Sequence, residues 1–159
     1  MVIQSFHPVK MITTGEGGAI ITNDKQLYNK VKNLRSHGIE KNLRKEEAWY
    51  YELNNLGYNY RITDIQCALG LSQLKKVNKF IQKRKTIAKL YDKIFKDKNY
   101  LTIPKIEKNS SHAFHLYPLR VNFKKLNIDK SYLFKKMKKC KINLQVHYNP
   151  VHLQPIFKK

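Results

Sequence analysis

Ser5 and Lys10 are the residues whose types and spacing best fit a chemical role, because they lie five positions apart just before a glycine-rich stretch. A lysine attacks an aldehyde only as the free amine, so a reactive lysine has to be held in place and shielded from water. A tight turn between two short elements would fix its direction, and a serine on that turn could donate a hydrogen bond to a phosphate group. By spacing alone, the ordinary interpretation of a loop lysine is a surface residue, so the chemical role is a hypothesis.

The segments that would position Lys10 are a glycine-rich turn, a short strand and a helix. Residues 15–18 (GEGG) predict the turn, and the apolar residues 19–21 predict a buried strand. The glycines are interpreted as serving backbone geometry, since no GxGxxG or P-loop pattern is present. Residues 23–24 can cap a helix that begins near Lys25 and stops before Gly38.

The middle of the chain combines a long predicted loop with the strongest helical signal. Residues 39–56 are charged and aromatic without a clean period, which predicts a loop. A helix is expected to open at Thr63, and its apolar stripe runs to Phe95. A pattern of that length exceeds the usual helix, so we expect a break near residues 77–79.

The last third of the sequence alternates between strand and helix signals. Residues 113–122 predict a strand, in which Pro118 argues for an edge or a bulge. An amphipathic helix is expected over residues 131–139 and a second strand over residues 142–146. This order predicts an α/β domain that has only begun when the sequence ends.

The charge of the chain is strongly positive, with 32 Lys and Arg residues against 11 Asp and Glu residues, a net charge of +21. Such an excess suits a polyanion partner. The excess is mostly lysine, however, and it falls on helical segments whose solvated faces need polar residues. No RNP-like motif, zinc-finger spacing or arginine-rich arm accompanies it. A lysine-biased surface is therefore favoured over nucleic-acid binding, and attraction of phosphorylated small molecules stays open.

Composition and cysteine usage narrow the setting. A hydrophobic content of 42% predicts a packed core. No apolar run approaches the roughly 20 residues that cross a bilayer, and no secretion signal opens the sequence, so a cytoplasmic protein without membrane contact is expected. Cys67 and Cys140 have no CxxC partner, so we expect idle thiols and no metal site.

Several motifs resemble, in order, those of the nucleotide-sugar aminotransferases called the DegT/DnrJ/EryC1/StrS family. That family consists of fold-type-I enzymes dependent on pyridoxal 5'-phosphate. The resemblance covers nearly the whole chain. Its motifs are SFHPVK at residues 5–10, ITTGEGG at 12–18, RSHG at 35–38, GYNYR at 57–61, DIQCALG at 64–70, QL at 73–74, KR at 83–84, HLY at 115–117 and QVHY at 145–148.

The resemblance implies a role for each of four residues in the first half of the chain. Lys10 would form the Schiff base with pyridoxal phosphate and move a proton during catalysis, and Ser5 would bind the cofactor phosphate. Asn59 and Arg61 would reach the phosphate site of a neighbouring subunit, which implies a homodimer for the complete enzyme. Taken alone, Asn59 fits a turn residue and Arg61 fits a partner for a nearby carboxylate.

The resemblance also implies a substrate. His147 and Tyr148 fall where relatives contact the nucleotide sugar, although a lone His147 fits a surface histidine equally well. SFHPVK, RSHG, GLSQLKK and VHY-x-P most resemble a subgroup on the route to pseudaminic acid. Its members move an amino group from glutamate to C4 of a UDP-linked 4-keto-6-deoxy sugar. The alternative function is a non-catalytic basic module that binds RNA or another polyanion.

The expected fold class is α/β, a partial fold-type-I pyridoxal-phosphate-dependent transferase. Residues 1–76 would be the C-terminal part of the cofactor-binding large domain, and residues 77–159 the linking helix and the beginning of a small α/β domain. Relatives have a large portion before the lysine, with an acidic group for the ring nitrogen, and it has no counterpart here. A truncated product, a partial gene call or half of a split enzyme would each explain this. We expect the isolated chain to be inactive, poorly stable and prone to aggregate.

Overall fold

Short paired strands and longer helices alternate along the chain in the computed structural model, which describes residues 1–41 and 46–157. The described residues fall into two units, Met1–Gln82 (unit 1) and Lys83–Lys159 (unit 2). Division of the chain into parts of a large and a small domain stays a prediction. The elements are β1 (Val2–Ser5), β2 (Gly18–Ile21), α1 (Lys25–Leu34), β3 (Ile39–Lys41), β4 (Tyr51–Leu53), α2 (Asp64–Leu74), α3 (Val77–Phe95), β5 (Leu101–Thr102), β6 (Arg120–Val121), α4 (Phe123–Leu126) and α5 (Lys130–Lys139), followed by two 3-10 turns, Val151–Leu153 and Pro155–Phe157.

Strands β1 and β2 form an antiparallel hairpin whose connecting loop carries Lys10. The register pairs Val2 with Ile21 and Ser5 with Gly18. A Cβ atom added at Gly18 would lie 2.6 Å from the carbonyl oxygen of Gln4, so a side chain there would push the two strands apart. The predicted strand over residues 19–21 is therefore present, and Gly18 allows its close pairing.

Helices α1 and α2 begin where their capping residues predict. The Asp24 carboxylate accepts hydrogen bonds from the first-turn amides of α1. At α2, the Thr63 hydroxyl accepts from the Gln66 amide, while the Gln66 side chain accepts from the Thr63 amide, which completes a capping box. The expected break in the long helical pattern is also confirmed, because α2 ends at Leu74 and α3 begins at Val77.

The predicted loop over residues 39–56 is wrong at residues 39–41 and 51–53 and is confirmed at residues 46–50 and 54–56. Ile39–Lys41 and Tyr51–Leu53 form an antiparallel pair, β3 with β4. The Asn54 amide nitrogen donates to the Glu40 carboxylate at 2.7 Å, beside this pairing. A strand is normally predicted from alternating apolar residues. Polar cross-strand partners of this kind stabilise the pair without that alternation, so the sequence pattern did not indicate these two strands. Residues 42–45 lie outside the described residues.

The strand predictions in the last third are mostly wrong, whereas its helix is confirmed. Helix α5 spans Lys130–Lys139 and is capped by the Asp129 carboxylate. The strand predicted over residues 113–122 shrinks to Arg120–Val121. A left-handed φ of 51° at Phe114 and the imide nitrogen of Pro118 interrupt its earlier part. The segment 142–146 has no strand pairing in the part of the chain that the structure describes.

The predicted packed core is wrong for the residues that the structure describes. Ala88, 2% exposed, is the one buried hydrophobic residue among them, and Thr14, 4% exposed, the one buried polar residue. Ile20 and Ile21 are 46% and 55% exposed, which also contradicts the predicted burial of β2. Each described sheet has two strands, and so small a sheet leaves its faces open. The expected poor stability and aggregation stay predictions.

Membrane-spanning helices and metal-binding clusters are both absent from residues 1–41 and 46–157. None of the described helices combines the length and the apolar character needed to cross a membrane. No group of three or more His, Cys, Asp or Glu side chains is placed to hold a metal ion within the same residues.

Candidate functional site

The loop that carries Lys10 is closed at its base by hydrogen bonds to both polar groups of the Phe6 backbone. The Phe6 amide donates to the Gly17 carbonyl at 2.9 Å. The Phe6 carbonyl accepts from the Thr14 amide at 3.0 Å and from the Thr13 hydroxyl at 2.9 Å. Three bonds at one residue hold the two ends of the loop together, so the Lys10 segment begins and ends at fixed points.

Within that loop, Lys10 closes a four-residue turn that starts at His7. The Lys10 amide donates to the His7 carbonyl at 2.9 Å, and the Val9 amide donates to His7 Nδ1 at 3.3 Å. The His7 amide in turn contacts the Ser5 hydroxyl at 3.4 Å. Lys10 is half-buried and Ser5 is exposed. Ser5, at the end of β1, and Lys10, at the end of the turn, therefore lie on one short connected segment, and their roles towards a cofactor stay predictions.

The glycine-rich segment behind the turn is packed around Thr14. The Thr14 hydroxyl donates to the Glu16 carbonyl at 2.7 Å, and that carbonyl also accepts from the Gln66 side chain at 3.0 Å. A Cβ atom at Gly17 would lie 2.6 Å from Thr14 Oγ1, and one at Gly70 would lie 2.9 Å from Thr14 Cγ2. These contacts seat the segment on α2. Thr14 was not among the predicted site residues, and its one signal in the sequence is its place just before the glycine-rich turn.

Asn59 and Arg61 lie on a different segment of unit 1, which pairs with the RSHG segment. Asn59 forms an antiparallel bridge with Ser36, flanked by the His37 amide donating to the Tyr58 carbonyl at 2.9 Å. Both Asn59 and Arg61 are exposed. The described hydrogen bonds of this segment tie it to residues 34–38 rather than to the Lys10 turn.

The pairing of the RSHG and GYNYR segments depends on two close glycines. Gly38 has a φ of 73°, and a Cβ atom there would lie 1.9 Å from the Asn55 carbonyl oxygen. A Cβ atom at Gly57 would lie 2.3 Å from the Gly38 nitrogen. Both distances are too short for a residue with a Cβ atom. The two motifs can therefore pack with their backbones in direct contact only because these positions are glycines.

His147 and Tyr148 lie in unit 2, whereas the other predicted site residues lie in unit 1. Both are exposed, with ring centroids 5.0 Å apart. Tyr148 has a φ of 45°, and its amide donates to the Val146 carbonyl at 2.9 Å. A left-handed φ is uncommon for a residue other than glycine, and it turns the chain sharply at Tyr148. The described contacts of this pair are local.

A polar and aromatic cluster in unit 2 was missed by the sequence analysis. The Tyr117 hydroxyl donates to Asp92 Oδ1 at 2.6 Å, and the Tyr117 ring meets Tyr91 edge to face at 5.1 Å. Burial raises the pKa of Tyr117 well above its ordinary value, and the hydrogen bond and charge of Asp92 add to the shift. The Arg84 guanidinium donates to the carbonyls of Phe114 and His115 at 3.2 and 3.1 Å. The cluster ties residues 114–117 to α3.

Unit 1 also has a cleft of about 710 Å³ that is lined mainly by apolar and aromatic side chains. Tyr58 and Tyr60 stack within it at a centroid distance of 5.1 Å. Lys10 and Ser5 are not among its lining residues. This cleft therefore does not coincide with the Lys10 turn.

Comparison with known proteins gives the chain a family. Residues 1–159 match the DegT/DnrJ/EryC1/StrS aminotransferase family. The UDP-4-amino-4,6-dideoxy-N-acetyl-beta-L-altrosamine transaminase of Campylobacter jejuni is 43% identical over 157 residues, which cover 99% of this chain and 40% of that protein. The resemblance inferred from the motifs is confirmed by these matches.

Solved structures give the same answer for the fold. Helicobacter pylori PseC, described as an aminotransferase involved in the biosynthesis of pseudoaminic acid, is 40% identical with a TM-score of 0.83, over 98% of this chain and 40% of its own. Spr1654 from Streptococcus pneumoniae, in its PLP form, is 28% identical with a TM-score of 0.79, over 98% and 40%. The predicted fold class, a partial fold-type-I transferase, is confirmed.

Pyridoxal phosphate is the cofactor of these relatives, and the residues of the Lys10 turn fit it. Lys10 offers the amine that an aldehyde requires, on a loop closed by the bonds to Phe6. The Ser5 hydroxyl accepts from the His7 amide and keeps its own proton to donate to a phosphate. Amine and hydroxyl donors on one short segment are the donor set that an aldehyde with a phosphate arm needs.

Proposed function

Because the chain belongs to the DegT/DnrJ/EryC1/StrS aminotransferase family, we propose that it is the lysine-bearing part of a nucleotide-sugar aminotransferase. The enzyme would move an amino group from glutamate to C4 of a UDP-linked 4-keto-6-deoxy sugar, in pseudaminic acid biosynthesis. The transaminase from Campylobacter jejuni and PseC support this substrate class. The chain spans about 40% of the length of these relatives, so the activity of a whole enzyme, and the inactivity of these 159 residues alone, are parts of the proposal.

The observation that carries the proposal is the closed loop that presents Lys10. Its amide bond to the His7 carbonyl fixes where the side chain starts, and the bonds at Phe6 fix both loop ends. A fixed start reduces the entropy lost when the amine reaches its target, which is the usual gain from a positioned catalytic group. Bound pyridoxal phosphate supplies an electron sink for the carbon that loses its proton. Lys10 then holds and moves that proton through its Nζ atom, and Ser5 binds the phosphate.

The remaining predicted residues would act at the edges of the site. Asn59 and Arg61, both exposed, would donate to the phosphate bound by a second subunit of a homodimer. His147 and Tyr148, also exposed, would contact the UDP-sugar. We propose a cytoplasmic setting for the reaction.

The alternative function, a basic module for RNA or another polyanion, has no support among these relatives. Its one basis is the net charge of +21. A family of sugar aminotransferases accounts for the motifs, which a charge-based function leaves unexplained.

A chimaera tests the proposal as a complete enzyme. The matching 40% of Helicobacter pylori PseC would be replaced by this chain, and amino transfer from glutamate to a UDP-linked 4-keto-6-deoxy sugar measured. We expect cofactor absorbance and amino transfer, both lost in Lys10→Ala, with the unaltered relative as reference. A folded, cofactor-loaded chimaera that aminates no UDP-linked 4-keto sugar would reject the proposed substrate class.

A further inference from the structure

His7 makes more contacts to the Lys10 turn than any turn of this kind requires. Its backbone carbonyl accepts from the Lys10 amide at 2.9 Å, which any residue at this position provides. Its side chain adds a second bond, because Nδ1 accepts from the Val9 amide at 3.3 Å. A side chain that accepts from the amide two residues ahead imitates a backbone turn. The amide next to Lys10 is therefore held by a side chain that can be changed.

This contact fixes the form of the imidazole ring. A nitrogen that accepts a hydrogen bond carries no proton, so the neutral His7 ring has its proton on Nε2. That nitrogen faces Glu16 Oε1 at 3.8 Å, with the two side chains 47% and 77% exposed. An exposed contact of this length contributes little by itself. It nevertheless directs the Nε2 side of the ring towards the glycine-rich segment, which leaves Nδ1 facing the turn.

Glu16 belongs to a segment that is anchored independently of His7. Its carbonyl accepts from the Thr14 hydroxyl at 2.7 Å and from the Gln66 side chain at 3.0 Å. Thr14 is buried, and Gln66 lies in the first turn of α2. His7 thus contacts both the turn that carries Lys10 and a segment that is tied to α2.

We propose that His7 is a positioning residue for Lys10, acting through a neutral imidazole that holds the Val9 amide with Nδ1 and faces Glu16 with Nε2. The inference rests on the proposed function of Lys10 and adds a residue to it. His7 does not touch the reacting atoms. Its effect is to keep the Lys10 amine in one position. Pyridoxal phosphate should then react with Lys10 in preference to the other lysines.

Two substitutions separate the two contacts of the ring. His7→Asn places an amide oxygen where Nδ1 lies and keeps the bond to the Val9 amide, but it is too short to face Glu16. His7→Gln places an amide nitrogen where Nε2 lies and keeps the Glu16 side without the Val9 bond. His7→Ala removes both. The proposal assigns the positioning to Nδ1, so His7→Asn should rescue what His7→Ala loses, and His7→Gln should not.

The test uses the chimaera of this chain with the rest of Helicobacter pylori PseC, with pyridoxal phosphate and borohydride as the probe. The share of total label found at Lys10 is measured by peptide mass spectrometry, with circular dichroism to compare folding. We expect His7→Ala and His7→Gln to lower that share by about tenfold, less than the roughly hundredfold that misplacement by 1 Å costs a catalytic group. His7→Asn should stay within about twofold of the unaltered chain, by the same positioning argument.

The outcomes separate this inference from the proposed function. If the chimaera with an unaltered His7 shows no preference for Lys10, the proposed function fails and His7 has nothing to position. If Lys10 is preferred and His7→Ala labels it equally well, the inference on His7 alone is overturned. Nitrogen-15 NMR of the unaltered chain gives an independent check that does not need the cofactor. It should show the Nε2-protonated tautomer of His7, and the Nδ1-protonated tautomer would overturn the inference.

Discussion

Unit 1 and unit 2 hold their motif residues by different means. In unit 1 the Lys10 loop and the RSHG–GYNYR pairing are held by backbone hydrogen bonds and by glycines that let two chains approach. In unit 2 the HLY segment is held by side chains, namely the Arg84 guanidinium and the Tyr117 hydroxyl. Backbone bonds are specified by a few neighbouring residue types, whereas side-chain partners distant in sequence depend on the fold. Segments held by backbone bonds, as in unit 1, are therefore easier to predict from sequence motifs than segments held by side chains, as in unit 2.

The two units also differ in charge. Unit 2 has 20 Lys and Arg residues against four Asp and Glu residues, a net charge of +16, while unit 1 has 12 against seven, a net charge of +5. Most of the lysines are therefore in the unit that lacks Lys10. If an aldehyde labels lysines according to their number alone, most of the label should be found in unit 2. If labelling depends on a positioned lysine, the label should be found in unit 1.

The largest loss of stability is expected at Gly38 in unit 1, where two backbone segments are in direct contact. Gly38→Ala would place a Cβ atom 1.9 Å from the Asn55 carbonyl oxygen at a left-handed φ of 73°. Overpacking and backbone strain together should lower the free energy of unfolding by about 2–6 kcal/mol, measured by urea denaturation of the chimaera with PseC, in which the rest of the fold is present. Gly15→Ala is the matched control, since its φ is 82° but nothing lies within 4 Å of the added Cβ atom. It should cost about 1–2 kcal/mol, and equal losses at both positions would show that close approach is unimportant.

A smaller effect is expected where unit 2 depends on a side chain. Arg84→Ala removes the donors to the Phe114 and His115 carbonyls. Loss of charge-assisted hydrogen bonds at a half-buried position should lower the free energy of unfolding by about 1.5–3 kcal/mol. Lys89→Ala on the same helix, where the side chain is exposed, should change it by less than about 0.5 kcal/mol. A similar small change for both would mean that Arg84 does not organise the segment.

The smallest effect concerns Tyr117 and appears at alkaline pH. The pKa of Tyr117 is raised in the folded chain, and that of an unfolded tyrosine is roughly 10. Below pH 10 both states keep the proton, so the stabilisation is fully present. Above it the unfolded state loses the proton first, and stability falls as pH rises. Tyr117→Phe should cost about 1 kcal/mol at neutral pH and flatten this decline in urea titrations between pH 8 and 11. The exposed Tyr132→Phe should keep the decline, and a decline unchanged in Tyr117→Phe would contradict the assignment.

The contrast between the units also explains what the sequence could predict. The capping residues Asp24 and Thr63 identified the starts of two helices because capping depends on residues within one turn, whereas the third, α5, was predicted from its amphipathic pattern. Ser5 ends β1 and Lys10 closes the turn that follows it, and the roles assigned to both residues stay predictions. The β3–β4 pairing escaped prediction because its strands carry polar and charged residues on both sides.

Long-range contacts were beyond the sequence for a different reason. The Tyr117–Asp92 bond joins residues 25 positions apart, and no local pattern marks Asp92 as its partner. Thr14 became notable only through Gly17 and Gly70, whose closeness depends on where α2 lies. The prediction of a packed core was wrong because the composition gives only the number of apolar residues. It does not show whether a second layer of structure covers them.

The most direct test of the account is the position at which pyridoxal phosphate becomes attached to this chain. The chain would be mixed with the cofactor, reduced with borohydride and mapped by mass spectrometry, beside Lys10→Ala and a Lys32→Ala control from α1. One dominant adduct at Lys10 is expected, lost in Lys10→Ala and kept in Lys32→Ala. Labelling spread over the lysines of unit 2, unchanged by Lys10→Ala, would contradict the claim that the loop presents a positioned amine.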